Sequence, residues 1–349
     1  MHISIIGAGI AGTACAYFLA QRGASCVIYD QGDDVAMGAS GNVRGLYNPR
    51  FFAAYDAEAQ FYASAFQSAL RVFEDLGDDI AYDPCGAVHL INTEQKQKRF
   101  AKMVESWPWG ADDFQILSPE KISEIMGLPC EYESLYLPRS GMVSPQAVCR
   151  AYARESGATL KLGTRVESKD LQDLLSDSDA VIFACGMGTL NFAPCADLPL
   201  RPMRGQVSLI DETPQTRALK TVVCYGGYMT PSFEGMHCVG STFDRGVDRA
   251  AVKDGDHEEI IGKMQDNIKA FQAGGYPCTQ ARAGVRVGAP GHFPVIGDLG
   301  QGMYISAAHG SHGILSSLMG AQILTAQIYG DAPPVAPEVI ERLSPHRFS

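Results

Sequence analysis

Ten cysteines occur in the sequence, but none forms a CxxC pair, and His and Cys residues do not cluster at the spacing of a zinc site. This lack excludes thioredoxin-like redox pairs and structural zinc modules, so we predict no metal site. Low-complexity tracts, internal repeats and heptad runs are also missing. The 349 residues are therefore expected to form an ordinary globular protein, as two domains or one large α/β unit.

Basic residues are fewer than acidic residues. Lys and Arg total 28 against 39 Asp and Glu, which gives a net charge of −11. Because phosphate contacts supply most of the affinity in non-specific binding to nucleic acid, this balance opposes such binding. A local basic patch remains compatible with the composition.

No apolar run is long and continuous enough for a membrane helix. Residues 3–20 come nearest, but glycines interrupt them and Gln21, Arg22 and Gly23 end them. No Lys or Arg precedes the run, as a secretory signal would require. We therefore expect a cytoplasmic protein without membrane interactions, in which the cysteines are buried thiols and not disulfides.

The first thirty residues carry the strongest motif. Ile3–Ile6 is a short β-branched run that is typical of a buried parallel strand. Gly7, Gly9 and Gly12 follow at the GxGxxG spacing, and after a predicted helix a second apolar strand ends at Asp30. This order of strand, glycines, helix, strand and acidic residue indicates a dinucleotide-binding βαβ unit.

Each part of that motif has a physical role. Gly7 permits a tight turn, Gly9 lets the backbone approach a pyrophosphate, and Gly12 lets the helix pack close to the strand. The first turn of the helix, which contains Ala11, offers free N–H groups and the positive end of its dipole to phosphates. Asp30 is placed to accept a hydrogen bond from a ribose hydroxyl.

A second glycine-rich segment spans residues 37–49. Its small residues would bring the backbone close to a ligand, and the Ser40 hydroxyl can donate to a phosphate. A flexible surface loop is the alternative interpretation of the same composition.

The rest of the chain alternates between two patterns. Periodicity and capping residues predict helices at about 10–22, 57–76, 145–156, 171–175, 256–272 and 313–329. Short apolar runs predict strands at 86–92, 134–143, 159–162, 164–166, 179–184, 206–210, 221–225, 227–230 and 237–240.

These elements predict an α/β fold in which two domains interleave. The Rossmann-like nucleotide-binding domain takes residues 1–80, 142–200 and 281–349. The antiparallel α+β substrate domain takes residues 81–141 and 201–280.

Over essentially its whole length the sequence resembles the FAD-dependent D-amino-acid-oxidase-like (DAO) oxidoreductases, which include glycine and sarcosine oxidases. Besides the first motif, the resemblance rests on the runs Gly38–Gly41, Gly141–Pro145, Phe183–Gly188, Gly284–Arg286, Pro294–Gly297 and Gly310–Ile314. Within the family, further runs are most similar to the oxidase domain of the bifunctional tRNA methylaminomethyl-thiouridine biosynthesis enzyme: Gly38–Asn42, Pro202–Val207, Tyr225–Pro231, His237–Gly240 and Phe243–Arg245. The sequence departs from these relatives in two ways. Asp30 replaces the Glu that is usual in the family. The dinucleotide motif stands at the start of the sequence, so we expect no methyltransferase domain.

The resemblance implies a glutathione-reductase-type FAD fold. FAD would be bound non-covalently, since no cysteine matches the covalent attachment site of some sarcosine oxidases. The residues predicted to bind it are Gly7, Gly9, Ala11, Gly12, Asp30, Ser40, Gly41, Arg44, Gly45, Leu46, Val166, Cys185, Gly186, Arg204, Gly310, Ser311, His312, Gly313 and Ile314.

The implied reaction is oxidation of a C–H bond beside an amine, with hydride passing to the flavin and an imine left to hydrolyse. Arg286 matches the family position that binds the substrate carboxylate, and Tyr228 matches a tyrosine that hydrogen-bonds it. A structural ion pair and a packed sheet tyrosine are the alternatives for these two residues. His309 and His312 resemble general bases, although hydride transfer from a neutral amine needs none.

Two substrates fit this chemistry. One is the carboxymethylaminomethyl group of a tRNA wobble uridine, whose oxidation would release glyoxylate; the motif runs favour it. The other is a free small amino acid such as glycine or sarcosine, which the acidic charge and the missing methyltransferase favour.

A flavin-binding protein without catalysis would be indicated if an ion pair occupied Arg286. Oxygen or another external acceptor must reoxidise the flavin, and the sequence does not indicate the oligomeric state.

Overall fold

The computed structural model of the protein describes residues 1–348, which form 17 β-strands and nine α-helices. The strands are β1 (His2–Ile6), β2 (Ser25–Tyr29), β3 (Gly45–Tyr47), β4 (Ala87–Leu90), β5 (Gln115–Leu117), β6 (Ser134–Leu137), β7 (Gly141–Val143), β8 (Thr159–Lys161), β9 (Ala180–Phe183), β10 (Arg201–Asp211), β11 (Val222–Cys224), β12 (Tyr228–Met229), β13 (Met236–Gly240), β14 (Asp244–Arg245), β15 (Cys278–Gly288), β16 (Val295–Gly300) and β17 (Met303–Ala307). The helices are α1 (Ile10–Ala20), α2 (Ala57–Leu76), α3 (Glu94–Ser106), α4 (Pro119–Met126), α5 (Pro145–Ser156), α6 (Leu171–Asp177), α7 (Gly255–Asn267), α8 (Gly313–Tyr329) and α9 (Pro337–Leu343).

A six-stranded sheet has the order β16-β17-β9-β1-β2-β8. Its strands are parallel except β16, which runs antiparallel to β17. Successive side chains of a strand point to opposite faces. Accordingly, Ile3 and Ile5 of β1 join a buried cluster with α1, α5 and α8, while Val181 and Phe183 of β9 join a second cluster with α6. Both faces are covered, as the near-continuous apolar strands require.

A nine-stranded sheet has the order β14-β10-β13-β12-β11-β4-β6-β5, with β15 paired to β10. All its pairings are antiparallel except that of β11 with β4. Strand β15 runs along most of β10, from Gly288 opposite Arg201 to Cys278 opposite Ile210. A small antiparallel ribbon joins β3 to β7. The predicted α/β fold with parallel and antiparallel sheets is confirmed.

Several predicted helices are confirmed together with their capping residues. Asp56 accepts a hydrogen bond from the Ala59 amide at 3.0 Å at the start of α2, and Ser144 accepts one from Ala147 at 3.3 Å at the start of α5. Helix α8 has the predicted bounds.

Other predicted bounds need correction. Residues 164–166 form no strand, and the predicted strand 134–143 divides into β6 and β7. Helix α7 ends at Asn267 and is followed by a short 3₁₀ turn. Residue 281, the predicted domain boundary, lies inside β15, whose pairing with the antiparallel sheet continues to Gly288. The division into two domains stays a prediction. Across residues 1–348, no helix combines the length and the apolar character needed to span a membrane.

Candidate active site

The glycines of the first motif form a tight cradle between β1, α1 and β9. Gly7 has a φ of +115°, and a Cβ atom there would lie 2.5 Å from the carbonyl oxygen of Ala184. A Cβ atom on Gly12 would lie 1.9 Å from the Gly7 carbonyl oxygen. Neither position can accommodate a side chain, and together they provide the tight turn and close helix packing of a dinucleotide site.

Asp30 lies at the carboxyl end of β2, beside this cradle. Its Oδ2 accepts a hydrogen bond from the Ala8 amide at 2.7 Å, and its Oδ1 accepts one from Gly32 at 2.8 Å. A carboxylate has about four acceptor sites. The side chain is therefore fixed in orientation and retains capacity for a ribose hydroxyl.

The N-terminus of α1 is open to an anion. Its N-cap is Gly9, which has no side chain to bond the amides of the first turn, including that of Ala11. Ser40 Oγ accepts a hydrogen bond from the Ile10 amide at 3.0 Å and so brings the glycine-rich loop to this helix end. First-turn amides have no intrahelical acceptor and favour a phosphate.

Helix α8 begins beside the start of α1. A Cβ atom on Gly313 would lie 3.9 Å from Cγ2 of Ile10, and one on Gly45 would lie 2.8 Å from Cδ1 of Ile314. His312 is the N-cap of α8 and makes no side-chain capping bond. Two helix N-termini without side-chain caps therefore meet at one place, where the dipoles favour negative charge.

The glycine-rich loop is held by Arg282 of β15. Its guanidinium donates to the carbonyl oxygen of Gly38 and, at 3.2 Å, to Oδ1 of Asn42. A Cβ atom on Gly41 would lie 2.3 Å from Nη2 of Arg282. Gly41 is therefore required for the contact between this loop and the antiparallel sheet.

Val166 follows strand β8, and Cys185 and Gly186 follow strand β9. Val166 and Cys185 pack against the same buried cluster of the six-stranded sheet, and Gly186 has a φ of +61°. Burial raises the pKa of the Cys185 thiol, and the nearby charge of Asp30 adds to this shift. Cys185 is thus near the carboxylate predicted to bind the ribose, and Gly186 follows it in the chain.

The prediction that Arg204 binds the cofactor is wrong for its side chain. Arg204 is fully buried, and its five N–H groups make hydrogen bonds to Asp244, Asp256, Gln206 and the Ala251 carbonyl oxygen. No donor remains for a ligand, so Arg204 is a structural residue of the sheet.

The Arg44 side chain is also bound by protein. It donates to the carbonyl oxygen of Ala81, and its guanidinium carbon lies 3.4 Å from the ring centroid of Phe233. Its Nε is buried and has no hydrogen-bond partner in residues 1–348, so the predicted contact of Arg44 with the cofactor stays a prediction.

Arg286 of β15 has only neutral partners. Its Nη2 donates to Ser241 Oγ at 2.9 Å and its Nη1 to Ser311 Oγ at 3.5 Å. Ser311 follows Gly310, whose amide donates to the Val287 carbonyl oxygen at 2.8 Å and joins the turn before α8 to β15. Within residues 1–348, no carboxylate oxygen lies within 4.0 Å of the Arg286 guanidinium. The ion pair that would have indicated a protein without catalysis is therefore not found in this part of the chain.

Tyr228 of β12 is close to Arg286. Burial raises the pKa of Tyr228 well above its ordinary value, and the charge of Arg286 acts in the opposite direction. The Tyr228 hydroxyl lies 3.6 Å from Cys238 Sγ, and its ring packs in a cluster that includes Leu46. The structure thus brings the two predicted catalytic residues together, with Ser311 linking Arg286 to the start of α8.

His309 and His312, in the turn before α8, are neutral at pH 7. Burial lowers the pKa of His309 to about 4 and that of His312 to about 4. His309 lies between Ser306 and Ser316, with N–O distances of 3.1 and 3.0 Å. His309 therefore lines the site as a residue held by hydrogen bonds.

Sequence reasoning missed Arg282 and Ser241. Alternate residues of a strand share one face, so the Arg-x-Gly-x-Arg pattern from Arg282 to Arg286 was a signal that both guanidinium groups lie on the same face. Ser241 has no such signal, because its role depends on β13 and β15 both pairing with β10, which brings the end of β13 near Arg286.

These features define a nucleotide-binding oxidoreductase fold, and the chain belongs to the FAD dependent oxidoreductase (DAO) family, whose model matches residues 2–327. It is 29% identical over 358 residues to the tRNA 5-methylaminomethyl-2-thiouridine biosynthesis bifunctional protein MnmC of Idiomarina loihiensis. That match covers 99% of this chain and 58% of the relative. The chain therefore spans about three fifths of the length of the curated relatives that it matches.

Solved structures with the same fold include two oxidases. Glycine oxidase from Geobacillus kaustophilus has a TM-score of 0.82 at 19% identity, covering 98% of this chain and 97% of that one. Iminodiacetate oxidase from a Chelativorans species has a TM-score of 0.78 at 21% identity, covering 98% of both chains. At these identities the likeness shows the fold alone.

The residues present fit FAD. A dinucleotide needs a cradle without side chains, free amides at a helix start and an acceptor for its ribose, and Gly7, Gly12, α1 and Asp30 provide them. The start of α8, beside the start of α1, would supply a second helix N-terminus that favours negative charge on the cofactor. As a member of this family, the protein is an FAD-dependent oxidoreductase.

Proposed function

We propose that the protein oxidises the C–N bond of an N-substituted glycine unit carried on a tRNA wobble uridine, with Arg286 binding the carboxylate of that unit. The observation that carries this proposal is the Arg286 guanidinium, which is partly buried, held by two serine hydroxyls and without a carboxylate partner in residues 1–348. A buried charge is costly unless an opposite charge joins it. The glycine carboxylate supplies that charge in a shape that suits a bidentate guanidinium.

FAD, bound non-covalently, would accept the hydride and pass the electrons to oxygen or another acceptor. The residues that would hold it are those of the glycine cradle, Ser40, Asp30 and the turn before α8. The substrate loses a hydride and a proton and becomes an imine. Addition of water then breaks the C–N bond, which leaves an amine on the uridine and releases glyoxylate.

The residues around the substrate favour this loss of hydride. Arg286 and the Tyr228 hydroxyl would orient the carboxylate so that the adjacent C–H faces the cofactor. His309 and His312 are neutral, so they add no positive charge that would oppose the developing positive charge on the amine nitrogen.

The tRNA substrate is supported by the relatives named for tRNA 5-methylaminomethyl-2-thiouridine biosynthesis, which match almost the whole chain. A free N-substituted glycine is the second candidate, because the net charge of −11 opposes binding of a polyanion. The structural neighbours named for glycine and iminodiacetate provide the test substrates for this candidate.

Anaerobic bleaching of the visible flavin absorbance distinguishes the two. We expect bleaching by an anticodon stem-loop RNA carrying carboxymethylaminomethyl-uridine, with glyoxylate released in equal amount. Glycine, sarcosine and iminodiacetate serve as competing substrates, and the same RNA without the modification is the control. Efficient bleaching by a free amino acid and none by the modified RNA would replace the first candidate by the second.

A further inference from the structure

Three further cations lie beside the substrate site, on elements that the mechanism above does not use. Arg50 belongs to the segment between β3 and α2, and Lys96 and Arg99 belong to the first half of α3. We name Arg50, Lys96 and Arg99 the basic row. Arg50 and Lys96 are partly buried, whereas Arg99 is exposed.

Each cation of the basic row is positioned by neutral groups. Arg50 Nη1 donates to the carbonyl oxygen of His292 at 2.5 Å. Lys96 Nζ donates to the Leu90 carbonyl oxygen at 3.0 Å and to Asn92 Oδ1 at 2.7 Å. In residues 1–348, no member of the basic row forms an ion pair with a carboxylate.

Aromatic packing holds the basic row together. The Phe51 ring lies 5.5 Å from the His89 ring and 6.1 Å from the Phe100 ring, and the Arg99 guanidinium carbon lies 4.8 Å from the Phe100 centroid. These contacts bring the segment after β3, strand β4 and helix α3 to one place. Lys96 and Arg99 therefore lie near His89, whereas the Arg50 guanidinium lies 5.0 Å from the centroid of the adjacent Phe52 ring.

The same groups connect the basic row to the substrate site. Burial lowers the pKa of His312, and the charges of Arg50 and Arg286 lower it further. Burial likewise lowers the pKa of His89 to about 3, with added effects of Lys96 and Arg99. Hydrogen bonds connect the two places as well, because Asn48 Nδ2 lies 3.2 Å from His89 Nε2 and the Asn48 backbone bonds the His312 ring. His312 also follows Ser311, which accepts a hydrogen bond from Arg286.

The basic row combines three cations at one place without a carboxylate partner in the described part of the chain. Carboxylates outnumber cations in the chain by 39 to 28, and other arginines do pair with them, as Arg204 does with Asp256 and Arg154 with Asp79. Like charges in partial burial repel one another and lose hydration. Arg50 and Lys96 carry such charges without a counterion among residues 1–348, and exposed Arg99 adds a third charge without a carboxylate partner there. An external anion would neutralise them.

We propose that the basic row binds backbone phosphates of the RNA that carries the glycine-like unit, while Arg286 binds the carboxylate of that unit. This proposal rests on the proposed tRNA substrate. The basic row extends from partly buried Arg50 to exposed Arg99, which is the course that a polymer must take from the reacting group to the surface. A small dicarboxylate would occupy the buried end and would not reach Arg99.

The test is the salt dependence of kcat/KM for the modified anticodon stem-loop. Arg99→Gln and Lys96→Gln should each weaken the negative slope of log kcat/KM against log salt concentration by about 0.7, the value for one phosphate contact with a single strand. Lys96→Arg should keep the wild-type slope. The matched control is Arg154→Gln, which removes the same charge from an exposed ion pair with Asp79 and should also keep it.

The outcomes separate this inference from the proposed function. If the RNA bleaches the wild-type flavin but Arg99→Gln and Lys96→Gln retain the wild-type slope, the phosphate site is refuted and the tRNA substrate stands. If the RNA does not bleach the wild-type flavin, both proposals fail. A raised KM for iminodiacetate in the same variants, without any reaction of RNA, would assign the basic row to a second carboxylate instead.

Discussion

Arg286 is available to a ligand because its neighbours lack both bulk and charge. A Cβ atom on Gly205 would lie 2.6 Å from Nη2 of Arg286, so only glycine leaves room for the guanidinium there. Ser241 and Ser311 accept its hydrogen bonds without neutralising it. Burial lowers the pKa of Arg286, but a guanidinium remains protonated in proteins. The site therefore presents a complete positive charge.

Replacement of this residue by alanine should affect substrate binding more than cofactor binding. A hydrogen bond to a charged group contributes about 1.5–3 kcal/mol, so Arg286→Ala should raise KM roughly ten- to hundredfold. The flavin should remain bound, because the contacts of the cradle are formed by other residues. Steady-state kinetics give KM, and the visible absorbance after gel filtration gives flavin content.

Arg201→Ala is the matched control, since Arg201 is an exposed arginine at the start of the neighbouring strand β10. It should leave KM at the wild-type value. Arg286→Lys keeps the charge but loses the bidentate geometry and should give an intermediate KM. A wild-type KM in Arg286→Ala would remove Arg286 from the substrate site.

Strand alternation explains which residues of β10 sequence reasoning could assign. Arg204 and Gly205 are adjacent, so they face opposite sides of the sheet. Gly205 faces Arg286, whereas Arg204 faces α7 and pairs with Asp256, which is distant in sequence. The run Pro202–Val207 pointed to this part of β10. The two faces of β10 become distinguishable only when the position of α7 is known.

Strand β15 connects the antiparallel sheet to the cofactor loop. On one face it presents Arg282, Gly284 and Arg286, and a Cβ atom on Gly284 would lie 3.3 Å from Cα of Ala39. Arg282 holds the loop that carries Ser40 through the Gly38 carbonyl oxygen and Asn42. One strand therefore positions both the proposed substrate cation and the loop beside the α1 N-terminus.

We expect Arg282→Gln to weaken FAD binding. Loss of the charged hydrogen bonds to the loop should raise the dissociation constant of FAD by roughly tenfold or more, since each contributes about 1.5–3 kcal/mol when formed. Reconstitution of the flavin-free protein, followed by flavin fluorescence, measures this constant. Arg150→Gln is the control, because it removes an exposed ion pair with Asp34 that should contribute little. Equal FAD affinity in Arg282→Gln and wild type would contradict the positioning role.

At the level of elements, the sequence predicts helices better than short strands. Helices α2 and α5 carry local stop and start signals, among them the caps Asp56 and Ser144. A short run such as 164–166, with two β-branched residues, becomes a strand only if a neighbour is free to pair with it. Here β8 already occupies the edge beside β2, and Thr164 makes a single backbone bond to the Asp30 carbonyl oxygen at 2.8 Å.

At the level of the whole molecule, local and net charge differ in sign. The net charge is −11, yet the basic row and Arg286 surround the place where the substrate is proposed to bind. Neutral histidines lie near these cations, because burial makes protonation there unfavourable. This arrangement makes the stability of the protein dependent on pH.

The sign of that dependence follows from three lowered pKa values. Burial lowers the pKa of His89 to about 3 and those of His309 and His312 to about 4, against about 6.5 in an unfolded chain. Below pH 6.5 the unfolded state therefore binds more protons than the folded state. The free energy of unfolding must decrease as pH falls, by up to about 1.4 kcal/mol per pH unit for each histidine.

Urea unfolding between pH 7 and pH 5 should therefore show a midpoint that falls on acidification. Asp34 and Asp244 contribute little there, because bonds to Arg150 and Lys253 lower their pKa values and keep them ionised in the folded state, and they remain largely ionised in an unfolded chain above pH 5. His309→Gln should reduce the slope of unfolding free energy against pH by the contribution of one histidine, and His346→Gln, at an exposed position, should leave it unchanged. An identical slope in His309→Gln and wild type would mean that His309 takes up its proton as readily in the folded protein as in the unfolded chain.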